Sequence, residues 1–157
     1  MRKSKYTLLY YIGLCCLLVC MACKSKTTYS HYEHVSAAGW EKRDTLFFHP
    51  NPAESYGRYQ EVIGIRTNDS YPFMRLTLIV NQEILPSMES HSDTLNLELV
   101  DEEGNVKGKG VSHYQYSFPL KTLSLQEGDS LSISIRHHMK RETLPGISDV
   151  GITLTKE

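Results

Sequence analysis

The chain has 157 residues and is almost neutral, with 17 basic against 18 acidic residues and a formal charge of −1. Three of the basic residues, Arg2, Lys3 and Lys5, stand at the very start, and without them the chain has a formal charge of about −4. This balance argues against a nucleic-acid-binding protein and against a basic membrane-binding face.

Residues 1–22 have the pattern of a lipoprotein signal peptide. After the basic residues comes an uncharged apolar run from about Thr7 to Ala22, and Cys23 follows it directly. The run is shorter than the roughly 20 residues that a membrane-spanning helix needs. Because Ala22 is the residue that lipoprotein signals require before the acceptor, we predict cleavage before Cys23. An ordinary signal peptide or an uncleaved anchor remains the alternative.

Lipidation of Cys23, by diacylglycerol and an N-acyl chain, would tether the mature protein to a membrane, because two or more acyl chains hold a protein stably. No other cofactor is expected. All four cysteines lie within residues 15–23, so the domain beyond them has no disulfide. Residues 23–30 are polar after the cysteine and predict a short tether, and residues 31–157 are long enough for one domain with its own core.

Apolar residues alternate with polar ones along most of this domain, which is typical of strands with one wet face. The alternating sets are Ile63 and Ile65; Leu76, Leu78 and Val80; Leu95, Leu97 and Leu99; Tyr114, Tyr116 and Phe118; Leu131, Ile133 and Ile135; Val150, Ile152 and Leu154. Another strand is predicted over residues 45–48. Turn residues separate these segments, and the one window of helical period, residues 82–90, is interrupted by Pro86. We predict an all-β, antiparallel β-sandwich, Ig-like or jelly-roll-like, of about seven to eight strands.

No residue pattern predicts a catalytic or metal site. His137 and His138 would point to opposite faces of a strand, and His31 and His34 lie beside the predicted tether without a cysteine partner. No serine stands in the sharp-turn motif of hydrolases. The acidic hairpin over residues 101–105 lacks the ligand spacing of a helix-loop-helix calcium site. Tyrosines and Trp40 could form an aromatic platform for a glycan, although core packing explains them as well.

Several segments resemble the gliding motility lipoprotein family GldH. They are residues 39–48, 66–80, 94–110 and 137–157, and together with Cys23 they span nearly the whole chain. The most specific are Trp40, the Asn68–Phe73 turn and the Leu144–Ile152 segment. At Met74 and Arg75 the chain departs from the small polar pair that is usual in the family.

The resemblance implies an accessory lipoprotein of gliding motility and its linked secretion machinery, in the cell envelope of Bacteroides-group bacteria and without enzymatic activity. Since Lys24–Lys26 lack an acidic run that resembles a surface-export signal, we expect the periplasmic leaflet of the outer membrane.

The leading hypothesis is therefore a noncatalytic, membrane-anchored protein that contacts other envelope, gliding or secretion proteins. The expected contact residues are Trp40, Asn68, Asp69, Tyr71, Pro72 and Phe73, together with the final hairpin. The alternative is a glycan- or calcium-binding envelope module. A hydrolase in an unfamiliar arrangement is a third hypothesis, and it would need a pocket that joins a histidine to a serine or aspartate.

Overall fold

A computed structural model describes residues 27–157, and every regular element in that part of the chain is a β-strand. The predicted signal peptide and Cys23 lie outside the described residues. Among residues 27–157 no helix is long and apolar enough to cross a membrane. The strands are β1 (Thr27–His34), β2 (Trp40–Glu41), β3 (Leu46–Phe48), β4 (Gly57–Asn68), β5 (Arg75–Leu85), β6 (Glu89–Glu98), β7 (Lys109–Gly110), β8 (His113–Leu125), β9 (Ser130–His137), β10 (Thr143–Leu144) and β11 (Ile147–Lys156).

Two antiparallel sheets form a sandwich. One has five strands in the order β1-β11-β4-β8-β7, and the other has four in the order β3-β9-β5-β6. A separate two-stranded ladder joins β10 to β2. The predicted antiparallel β-sandwich is therefore confirmed. The eleven strands exceed the predicted seven to eight because β2, β7 and β10 have only two residues each, too short to show an alternation.

The apolar residues that alternate along the strands fill the space between the sheets. Ile63 and Ile65 in β4, Leu76 and Leu78 in β5 and Ile133 in β9 are completely buried. They belong to one continuous hydrophobic cluster with residues of β8 and β11. Since a strand turns successive side chains to opposite faces, the period-two pattern is sufficient to explain which residues form this core.

The window of helical period around residues 82–90 is not helical. Gln82 to Leu85 continue β5, a short turn contains Met88 with a φ of 59°, and Glu89 begins β6. Pairing of β5 with both β6 and β9 decides the outcome, because ladder hydrogen bonds on both sides of β5 satisfy its backbone.

The predicted tether over residues 23–30 is too long at its C-terminal end, because β1 already begins at Thr27 and pairs with β11.

The Tyr32 ring helps to hold this edge strand. It lies across Gly151 of β11 and Gly64 of β4, which stand in one row with it. An added Cβ at either glycine would come within 2.6 Å of a Tyr32 atom, so the row has room for the ring only because both residues are glycines. The guanidinium carbon of Arg66 lies over the Tyr32 ring, 4.2 Å from its centroid, at a distance typical of a cation–π contact.

Candidate partner-binding surface

The two ends of the sandwich differ in the turns that they carry. We call the end where β4 stops and where β5 and β11 begin the Asn68 end. The opposite end, where β1 and β4 begin and where β5, β8 and β11 stop, is the Thr27 end. The predicted contact residues 68–73 form the β4–β5 turn at the Asn68 end.

Backbone and side-chain hydrogen bonds fix the first half of this turn. The backbone nitrogens of Ser70 and Tyr71 donate to the side-chain and backbone oxygens of Asn68, at 2.9 and 3.1 Å. The nitrogen of Asn68 in turn donates to the carbonyl of Gly146, at 2.9 Å. An asparagine that accepts from the residue two positions ahead is a common way to close a turn. The Asn68 side chain therefore stabilises the turn and is less available for contact with a partner.

Two aromatic rings hold the second half. The Tyr71 hydroxyl donates to the carbonyl of Arg75, at 2.8 Å, and its ring meets the edge of the Phe73 ring at 5.7 Å between centroids. Burial, together with the nearby Tyr116, raises the pKa of the Tyr71 hydroxyl, which stays protonated as the donor that this bond requires. Both rings pack partly against the core.

The predicted final hairpin is a turn at Pro145 and Gly146 between β10 and β11 and not a β-hairpin, because β10 pairs with β2 instead of β11. This turn lies directly against the β4–β5 turn. Gly146 has a φ of +82°, and an added Cβ there would lie 2.2 Å from the backbone nitrogen of Tyr71. A side chain at this position would therefore clash with the backbone of Tyr71. The structure thus brings the predicted 68–73 turn and the predicted final hairpin together, although about 70 residues separate them in the sequence.

The prediction that Trp40 contacts a partner is wrong, because its side chain is only 1% exposed. Its indole N–H donates to the carbonyl of Asp44, at 3.0 Å, and its ring meets the edge of the His137 ring at 5.4 Å. Nε2 of His137 lies 3.1 Å from the Trp40 carbonyl, and burial lowers the pKa of this histidine. Trp40 pairs with Leu144 of β10, and both side chains are buried in the core.

The accessible part of the surface consists of Asp69, Ser70, Pro72 and Met74, whose side chains are exposed. Sequence reasoning missed Met74, since it is in phase with the inward residues Leu76 and Leu78. The carbonyl of Met74 accepts from the nitrogens of Leu99 and Val100, at 2.8 and 3.1 Å, before β5 begins. The Met74 side chain itself is 47% exposed, and no local sequence signal indicates this.

Neither the acidic hairpin nor the histidines form a metal site in the described part of the chain. Both side-chain oxygens of Asp101 accept from Asn105, at 2.7 and 3.0 Å, and these bonds lower the pKa of the carboxyl. The carboxylate closes its own loop in this way. Within residues 27–157 no three histidine, cysteine, aspartate or glutamate side chains are grouped to hold a metal ion.

A buried polar pair joins the two sheets. The amide nitrogen of Gln82 in β5 donates to Oε2 of Glu61 in β4, and both residues are at most 2% exposed. Glu61 is in phase with the inward residues Tyr59 and Ile63, and Gln82 is in phase with Val80 and Ile84. A polar residue at an inward position of the alternating pattern is the sequence signal from which this buried pair could have been predicted. Burial raises the pKa of Glu61 to about 7, against opposing effects of the Gln82 hydrogen bond and Lys121.

Comparison with known proteins gives one family and two relatives. The sequence profile described as "GldH lipoprotein" matches residues 27–154. A protein of Flavobacterium johnsoniae named "Gliding motility lipoprotein GldH" is 27% identical, over 93% of this chain and 95% of that protein. A protein of Christiangramia forsetii named "Gliding motility lipoprotein GldH homolog" is 25% identical, over 93% of this chain and 94% of that protein.

Solved structures with related architecture are distant. The globular domain of zebrafish complement 1qA protein has a TM-score of 0.46 at 13% identity, covering 85% of this chain and 97% of that chain. A family 35 carbohydrate-binding module from Clostridium thermocellum has a TM-score of 0.42 at 10% identity, covering 82% and 89%. We draw no functional conclusion from similarities of this size.

Proposed function

The chain belongs to the GldH lipoprotein family, and from that premise we propose that it is a noncatalytic accessory protein of gliding motility and the linked secretion machinery. It is a membrane-anchored lipoprotein, as its family is, and in our proposal Cys23 carries the lipid at the periplasmic leaflet of the outer membrane. The domain then acts through protein contacts at its Asn68 end.

The observation that carries this proposal is the construction of the Asn68 end. Hydrogen bonds of Asn68, Tyr71 and Gly146 order this turn, which exposes Asp69 and Pro72. A surface that is already ordered loses little conformational freedom when a partner binds, so a small contact area can still give useful affinity.

The position of this turn favours a partner that is not at the membrane surface. Thr27, four residues after Cys23, lies at the other end of the sandwich. The twelve residues of β4 run between the two ends and span roughly 40 Å at about 3.3 Å per residue. An anchored domain that stands on its Thr27 end therefore presents Asp69 and Pro72 well away from the lipid.

Site-specific crosslinking in cells tests the proposal. A photoreactive residue at Asp69 is compared with one at Glu127, which is also an exposed acidic residue in a turn but lies at the Thr27 end, between β8 and β9. We expect gliding or secretion components to crosslink to position 69 and not to position 127. Charge reversal at the same two positions is a second test. When complexes are purified from membranes, Asp69→Lys should lose the partner proteins and Glu127→Lys should retain them.

The Cys23→Ala variant serves as the lipidation control and should incorporate no labelled fatty acid. Equal crosslinks from positions 69 and 127, or complexes that survive Asp69→Lys unchanged, would contradict the docking role of the Asn68 end. Incorporation of labelled fatty acid into Cys23→Ala would contradict the proposed lipidation site.

A further inference from the structure

The Thr27 end lies close to the residue that we propose to be lipidated, and the inference below rests on that proposal. Thr27 pairs with Thr155, which pairs with Gln60, so Thr27 stands level with Gln60 near the start of β4. The four residues from Cys23 to Thr27 can span at most about 14 Å. Four residues of a strand, such as those from Gln60 to Tyr56, rise by about the same distance. Cys23 can therefore reach the level of Tyr56 at this end of the sandwich. A membrane that holds Cys23 is therefore within reach of this end of the sandwich.

The tip of the β5–β6 hairpin projects at the same end. The inter-sheet contact of Gln82 with Glu61 shows that the last residues of β5 lie opposite the first residues of β4. The tip, Leu85–Met88, carries no charge, and all four of its residues are exposed. Leu85 is 37% and Met88 64% exposed, and Tyr56, just before β4, is 66% exposed. Contiguous exposed apolar side chains can mark an interaction surface, and Leu85 and Met88 stand in one four-residue turn.

The described residues around this tip form no basic patch that would attract anionic headgroups. Glu54, Glu89 and Glu127 are exposed acids at this end. Arg58 pairs with Glu157 at 3.1 Å, and the amino group of Lys156 lies 2.6 Å from a neutral partner, the Ser55 hydroxyl. Lys24 and Lys26 stand between Cys23 and Thr27 and place two basic residues next to the proposed anchor. The tip itself is uncharged and apolar, so it can enter the headgroup region of a zwitterionic membrane without charge attraction.

We propose that the Thr27 end is a membrane-contacting face, with the Leu85–Met88 tip and Tyr56 seated in the headgroup layer of a zwitterionic phospholipid membrane. The contact adds to the covalent anchor and sets the orientation of the domain. It holds the sandwich upright, so that the Asn68 end points away from the lipid.

Two methionines provide a matched test. Met88 and Met74 are both exposed, but Met74 lies at the Asn68 end, before β5. Because all four natural cysteines lie within residues 15–23, Met88→Cys and Met74→Cys each give the mature lipidated chain one free thiol for an environment-sensitive dye. Each labelled protein is reconstituted into phosphatidylcholine vesicles that contain a lipid with a nitroxide quencher in its headgroup region. The fluorescence of Trp40, measured without quencher, verifies that each variant is folded.

We expect the dye at position 88 to be quenched at least three-fold more than the dye at position 74. Replacing part of the phosphatidylcholine by anionic phosphatidylglycerol should not strengthen quenching at position 88. Equal quenching at the two positions, in protein that floats with the vesicles, would overturn this inference and leave the anchor intact. Stronger quenching in anionic vesicles would overturn the apolar contact. If the processed protein carries no lipid on Cys23 and does not float with the vesicles, both the anchor and the inference that rests on it are overturned.

Discussion

Replacing Glu61 by glutamine should remove a pH-dependent loss of stability from this protein. Glu61 and Gln82 share one hydrogen bond between the sheets, but Oε1 of each residue is buried without a partner. Both of these atoms are acceptors while Glu61 is ionised. A proton on the carboxyl supplies a donor, and the glutamine of Glu61→Gln supplies one permanently through its amide nitrogen.

The size of the effect follows from the pKa of Glu61, which burial raises from the ordinary 4.5 to about 7. One pKa unit corresponds to about 1.4 kcal/mol, so the rise corresponds to about 3 kcal/mol. Because the folded state binds the proton more tightly than the unfolded state, this stability is fully present below pH 4.5. It is lost as the pH rises to about 7, and above that value the loss stays constant.

Urea unfolding at pH values from 4.5 to 8 measures this change, with the fluorescence of the single tryptophan, Trp40, as the signal. We expect the native chain to lose about 3 kcal/mol relative to Glu61→Gln across this range. His137 has the opposite dependence, since its lowered pKa removes stability as the pH falls below 6.5, but it is present in both chains and cancels in the difference. Glu54→Gln, at an exposed position, is the matched control and should follow the native chain. A difference between the native chain and Glu61→Gln that does not vary with pH would refute the reasoning.

Three further predictions concern packing, and urea unfolding measures each. Gly151→Ala should cost about 1–3 kcal/mol because its new methyl group would meet the Tyr32 ring, and most of that cost should vanish when Tyr32→Ala is combined with it. Gly146→Ala should cost about 1–3 kcal/mol through its positive φ alone, and the clash with the backbone of Tyr71 should add to this cost. An unchanged urea midpoint would show that the turn at Gly146 can move away. Phe48→Ala should cost about 3–5 kcal/mol because Phe48 is completely buried, whereas the neighbouring Phe47→Ala, at 56% exposure, should cost less than about 1 kcal/mol, and similar losses would refute the assigned faces of β3.

The candidate surface could be predicted only in part. The composition of the Asn68–Phe73 segment indicates a turn, because asparagine, aspartate, serine and proline close turns through their own side chains or fixed φ. Trp40 resembles the family pattern equally well, and a tryptophan is as suitable for an interface as for a core. Its burial depends on the pairing of β2 with β10, two strands of two residues that are about 100 positions apart. No local pattern predicts such a pairing.

The sequence by itself determined the class of the fold and the composition of its core, because the alternation of apolar and polar residues follows from strand geometry at each residue separately. It also supplied the family and the proposed lipid-bearing Cys23. Only the tertiary structure decided which strands are neighbours and which sheet faces which, since these depend on contacts between distant segments. Those contacts place Glu61 against Gln82, leave Met74 exposed, bury Trp40, and put the Asn68 turn at the end of the sandwich opposite Thr27.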